Sequence, residues 1–168
     1  MKRVAIVGNT AGGKSTLGRK LAQLHGLTYH SVDQIQWRPG WVAAPEPEVG
    51  LHLDRITAGD RWVVDGWGPR ASMERRLEAA DTIIFVDLPL WVHFWLAAER
   101  QMAAARGEGR VDPIEGCNDL EITRRIFEGI WQIDQHLKPD LIQLLERYKS
   151  QRDYRHITSL EALDALAG

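Results

Sequence analysis

The chain carries a single cysteine, Cys117, among 168 residues. One thiol excludes an internal disulfide and a cysteine-rich zinc site. Charge of either sign is not in excess: the formal net charge is −2, which gives no global attraction to nucleic acid or an anionic membrane. Long apolar runs are also missing. The run Val4 to Val7 ends at Gly8, too short for the core of a signal peptide, and nothing approaches the roughly 18 apolar residues of a membrane span. There is no repeat and no low-complexity tract. These absences leave one α/β domain over residues 1–168, with the cytoplasm as the expected compartment.

What is present alternates between two periods. Lys2 to Val7, Leu27 to Val32, Arg61 to Val64 and Thr82 to Val86 read as strands, and Asp153 to Ile157 as a weaker fifth. Between them lie helical stripes: Leu17, Leu21 and Leu24 stopped by Gly26; Val49, His52, Leu53 and Ile56 stopped by Gly59; and Met73 with Leu77. A helix opened by Pro89 is expected to turn Val92, Trp95, Leu96 and Met102 inward. Ile126, Phe127, Ile130, Ile133 and Leu137 mark another helix, which Pro139 should break. Leu141, Leu144, Leu145 and Tyr148 make the cleanest stripe, and Thr158-x-x-Glu161 suits a capping box. Strand and helix in this order call for a parallel sheet covered on both faces.

The chemistry-bearing motif is Gly8-Asn9-Thr10-Ala11-Gly12-Gly13-Lys14-Ser15, which fits G-x-x-x-x-G-K-[ST] between a strand and a helix. Glycines let backbone N–H groups converge as an anion nest, and the helix N-terminus adds about half a positive charge there. Gly8, Ala11, Gly12, Gly13, Lys14, Ser15 and Thr16 are the expected nucleotide-binding residues. Lys14 would neutralise the β- and γ-phosphates, Ser15 would offer its hydroxyl to Mg²⁺, and Thr16 would donate to the α-phosphate.

Further along, Asp65 ends a strand before a flexible Gly66 turn and Arg70. It is the expected Mg²⁺ carboxylate, acting through water, with Asp87 at the next strand end as its rival. Asp33, closing the second strand, suits a general base for an acceptor hydroxyl, or merely a turn cap. Arg70 suits a clamp on an anionic acceptor. Arg106 and Arg110 flank Gly107 to Gly109 and suit charge stabilisation on a moving loop, whereas Arg100, Arg124 and Arg125 read equally well as solvated helix residues. Trp37, Trp41 and Trp67 would stack on a base or staple a short insertion.

Taken together, residues 8–22, 32–41, 62–70, 76–89 and 106–117 resemble the adenylate-kinase-like small P-loop kinases. More closely, they resemble the bacterial family of DNA topology modulation proteins. The resemblance implies a P-loop NTPase three-layer α/β/α fold with a five-stranded parallel sheet. It also implies an acceptor-binding insertion at about 34–60 and a lid at about 104–120. The implied activity is transfer of the γ-phosphoryl group of Mg-ATP to a small acceptor, a nucleotide or nucleoside among the candidates. The Asp65 to Arg70 turn is one residue longer than that of true adenylate kinases, and their acceptor signature after Asp33 is missing, so AMP is not implied. No Asn/Thr-Lys-x-Asp base-reading signature occurs, which leaves ATP as the expected nucleotide. A regulator of DNA topology and a plain NTPase are the alternatives, although no residue run suits direct DNA or membrane contact.

Overall fold

In a computed structural model, residues 1–109 and 113–168 are described. Five parallel strands form the central sheet: β1 (Arg3–Gly8), β2 (Thr28–Ser31), β5 (Trp62–Asp65), β6 (Thr82–Val86) and β7 (Asp153–Ile157), in the order β2-β5-β1-β6-β7. β1 lies in the middle, with Ile6 opposite Asp65 on one side and Gly8 opposite Val86 on the other. A two-residue antiparallel hairpin, β3 (Trp37–Arg38) with β4 (Val42–Ala43), stands apart from it. The sequence alone reads that hairpin as loop.

Alternation along β1 divides the core between the two faces, because successive side chains point to opposite sides of a strand. Ala5 and Val7 join Val64, Ile83 and Phe85 under helices α3 (Glu46–Thr57), α4 (Arg70–Ala79) and α7 (Lys138–Glu146). Val4 and Ile6 join Val63, Ile84 and Val86 against α1 (Lys14–His25) and α8 (Leu160–Ala167). Helices thus cover both faces, and a crevice opens at the carboxyl end of β1, where binding sites of open α/β sheets form.

Three expectations need correction. Asp33 does not close a strand: β2 stops at Ser31, and Asp33 lies in the first turn of a short helix, α2 (Val32–Gln36). Helix α5 (Leu90–Ala105) buries Val92, His93, Ala97 and Gln101, while Trp95 and Met102 are exposed. Its inner face is partly polar because it meets the phosphate loop through His93 and the start of the next helix through Gln101, which accepts from Thr123 Oγ1 at 2.8 Å. Nor does Pro139 break the helix before it. α6 (Thr123–Gln132) passes through a π-helical segment, Ile133–Leu137, into α7, and Lys138 N–H bonds Ile133 O. The wider turn absorbs a proline whose ring crowds the carbonyl four residues back.

Residues 113–118 are fastened to residues 34–41. Gln34 Nε2 donates to Pro113 O at 3.1 Å, Gly40 N–H to Gly116 O at 2.9 Å, and Trp41 Nε1 to Asn118 O at 2.9 Å. The Cys117 thiol donates to Arg38 O and its sulfur accepts from Trp41 N–H, each at 3.3 Å. The lone thiol is thereby built into the contact between the hairpin and residues 113–118.

Candidate active site

The phosphate loop owes its shape to left-handed backbone at chosen positions. Gly13, before α1, has φ +76°, and Ala11 has φ +58°, conformations that turn N–H groups to one side. Glycine is demanded at Gly8 by packing as well, since a Cβ there would stand 2.1 Å from Val86 O at φ +145°. Neither atom can retreat without unzipping β1 from β6. Gly8→Ala should therefore abolish nucleotide binding and cost at least 2 kcal/mol of stability. Calorimetric titration with ADP and a thermal melt check this.

Two side chains brace the loop, one from an undefined position of its motif and one from α5. Asn9, 4% exposed, accepts from Thr10 N–H at 2.7 Å and donates to Ile130 O of α6 at 2.9 Å. His93 Nδ1 hydrogen-bonds Thr10 O at 2.8 Å, and its ring occupies the space a Cβ on Gly12 would need. Burial, and then the Lys14 and Lys138 charges, lower the His93 pKa against the contrary pull of Thr10 O and Asp87. A neutral ring suits the role of donor to a carbonyl.

Ala11, Gly12, Gly13, Lys14, Ser15 and Thr16 line a cleft of about 310 Å³, closed on its far side by Asp33, Leu96 and Arg100. Gly8 lies beneath this cleft. Lys14 Nζ donates to Asn9 O at 2.7 Å. Burial lowers the pKa of its ammonium, Asp65 and Asp33 raise it, and Arg100 lowers it further. Two carboxylates and a second cation are therefore close enough to act on Lys14.

Asp65 is 2% exposed at the end of β5. Asp87 is engaged elsewhere, by His156 Nε2 at 3.0 Å and Lys138 Nζ at 3.4 Å. Ser15 and Asp33 line the cleft and Asp65 acts on the same Lys14 ammonium; hydroxyl and carboxylate oxygens are the donor types that suit Mg²⁺, which takes one or two carboxylates plus substrate phosphates. Among the described residues no group of three or more His, Cys, Asp or Glu could hold a metal by itself.

A second cavity, of about 230 Å³, adjoins the first and shares Thr10, Asp33 and Arg100 with it. Its walls are aromatic: Trp37, Trp41 and Trp67, with Trp37 and Trp41 edge to face at 6.0 Å. The Arg125 guanidinium lies 4.4 Å from the Trp37 ring centroid and also lines the cavity. Trp41 is both wall and staple, through its bonds to Cys117 and Asn118.

The arginines are distributed differently from the expectation. Arg70 does not reach this cavity. It begins α4, bonds Glu74 at 2.9 Å and approaches Asp140 at 3.9 Å beside a separate, smaller pocket. Arg106 is exposed at the end of α5 and paired with Glu108 at 2.8 Å. Arg110 lies outside the described residues. Arg100 and Arg125 stand at the cavities instead, because helix phase rather than proximity to glycines decides which arginines face inward.

Nothing in the sequence sets Arg76 apart from its neighbour Arg75 as a site residue. This guanidinium is 1% exposed, and Nη2 donates to Gly66 O at 2.6 Å and Trp67 O at 3.3 Å. Burial pushes its pKa down to about 10 against the pull of Asp65.

No family model matches the chain, and no curated protein matches it. Solved structures do. Shikimate kinase from Acinetobacter baumannii, in complex with shikimate, aligns over 99% of this chain and 89% of its own at TM-score 0.59 and 16% identity. A sugar kinase from a Janibacter species aligns over 99% and 90% at TM-score 0.55 and 16% identity. A gluconokinase from Sinorhizobium meliloti aligns over 99% and 91% at TM-score 0.52 and 16% identity. The DNA topology modulation family is not among these findings. At such identities the likeness is one of fold: a P-loop NTPase α/β/α sandwich around a five-stranded parallel sheet.

Proposed function

We propose that the chain is a kinase that moves the γ-phosphoryl group of Mg-ATP to a hydroxyl of a small, anionic acceptor. One observation carries the reading: the phosphate-loop cleft and the tryptophan-walled cavity meet at Thr10, Asp33 and Arg100. A plain NTPase needs no second cavity beside the phosphate-loop cleft. Reading the shared residues as the transfer point, the acceptor oxygen attacks the γ-phosphorus, the bond to the β–γ bridging oxygen breaks, and ADP leaves. Asp33 takes the hydroxyl proton. Lys14 and Arg100 face the charge that spreads over the transferred group, and Ser15 and Asp65 would hold the Mg²⁺ that neutralises the phosphates.

Arg125 and Arg100 give the acceptor its expected charge, and the tryptophans give it a flat or apolar face. Nucleotides fit that description, and so do hydroxylated carboxylic acids of the kind the structurally similar enzymes are named for. A coupled assay of ADP release over nucleotides, nucleosides, sugar acids and neutral sugars tests the proposal. Stimulation by an anionic acceptor is expected. Slow hydrolysis unaffected by every acceptor would overturn the kinase reading in favour of a plain NTPase. With the acceptor found, Arg125→Gln should raise its KM by about 10-fold or more, the cost of a charge-assisted hydrogen bond, and leave the KM for ATP unchanged.

A further inference from the structure

The Asp65–Gly66–Trp67 turn is held from two sides. Arg76 donates to the carbonyls of Gly66 and Trp67 from within α4. On the other side Gly66, at φ +109°, lies so close to Val32 that a Cβ would stand 2.9 Å from the Val32 Cβ, and Gly68 would meet the same side chain at 3.1 Å. Val32 immediately precedes Asp33 in α2. Gly66 N–H anchors the turn to Ile6 O of β1 at 3.2 Å. The turn thus bears Asp65 at one end and the cavity wall Trp67 at the other, and it leans on the residue next to Asp33.

A guanidinium buried at this depth is expensive, and its Nε and Nη1 make no hydrogen bond. An apolar residue of similar volume would fill the same space at less cost in desolvation. Arg76 supplies what such a residue could not: donors for two carbonyls of a tight turn, and a positive charge beside Asp65. We propose that Arg76 is a positioning residue that fixes this turn, and through it sets Asp65 and Trp67 against Asp33. The proposal rests on the reading of Asp65 as the Mg²⁺ carboxylate, but it does not require that an acceptor be known.

The test compares Arg76→Met, Arg76→Lys and Val32→Ala, which relaxes the turn from its opposite side. Thermal melts report folding, and calorimetric titration measures ADP affinity with Mg²⁺ and with EDTA. Arg76→Met should weaken binding of ADP with Mg²⁺ by about 10-fold or more and leave Mg-free binding within about 2-fold, on the scale of a lost positioning partner at a metal site. Arg76→Lys should recover part of the loss, since its ammonium still supplies a charge and donors. Val32→Ala should shift the same ratio in the same direction, by less. An unchanged ratio in a folded Arg76→Met protein overturns the proposal. If both Arg76 variants fail to fold, an unchanged ratio in Val32→Ala overturns it as well. A shifted ratio in a protein that phosphorylates no acceptor would keep this proposal while the kinase reading fell.

Discussion

Lys14→Met should lower kcat for phosphoryl transfer by about 10³-fold, the loss seen when a preorganised donor to developing charge is removed. Methionine keeps the length and unbranched shape of the lysine stem, so what disappears is the ammonium. That ammonium lies at the floor of the donor cleft, bonded to Asn9 O at 2.7 Å and acted on by Asp65 and Asp33. Without it, Asp65 and Asp33 face the phosphates with one cation fewer beside them. ADP affinity should fall less than kcat, because the backbone N–H groups of the loop remain. The melting temperature should move little, since the variant sheds a desolvated charge at the same time as it loses that charge's attraction to the carboxylates. Steady-state kinetics beside a thermal melt check both halves. A folded Lys14→Met protein that keeps a tenth of the parent rate would place the chemistry outside this cleft.

The parts of this molecule that were legible in the sequence are those governed by short-range rules. β1, β6 and the phosphate loop announce themselves through apolar runs and through glycines at positions that demand them, and Gly26 ends α1 in the left-handed conformation expected of it. Asp33 was readable as a carboxylate just after the second strand, though not as part of a helix turn, because β2 is only four residues long and α2 begins at once with Val32. Contacts decided by helix phase were not legible. Trp95 and Met102 fit an apolar stripe on paper, yet α5 turns His93 and Gln101 inward because its partners there are polar, namely Thr10 O and Thr123.

The same reason hid the arginines that line the two cavities. Arg106 and Arg110 stood beside glycines and Arg70 beside the Asp-Gly turn, whereas Arg100 and Arg125 stood on helices and read equally well as solvated. Arg76 was the least visible of all. In sequence Arg75 and Arg76 form an ordinary basic pair; in the fold Arg75 bonds Asp54 at the surface while Arg76 points into the core behind Asp65. One helical step of about 100° separates an exposed ion pair from a buried support.

Asp33→Asn should lower acceptor-dependent kcat by about 10²–10⁴-fold, the usual contribution of a positioned general base. Asparagine fills the same space and can still accept a hydrogen bond from a hydroxyl, but it cannot take the proton. Its effect must be separated from damage to the donor side, because Asp33 lines both cavities and acts on Lys14. Slow ATP hydrolysis measured without acceptor makes that separation. If Asp33 serves the acceptor, hydrolysis and the KM for ATP should stay within about 2-fold of the parent while transfer collapses, since an interaction made only in the transition state for transfer lowers that kcat alone. If both rates fall together, Asp33 belongs to the metal and phosphates. The proton would then pass directly from the acceptor to a phosphate oxygen, which a loose phosphoryl-transfer transition state, with little bond formation to the acceptor, allows.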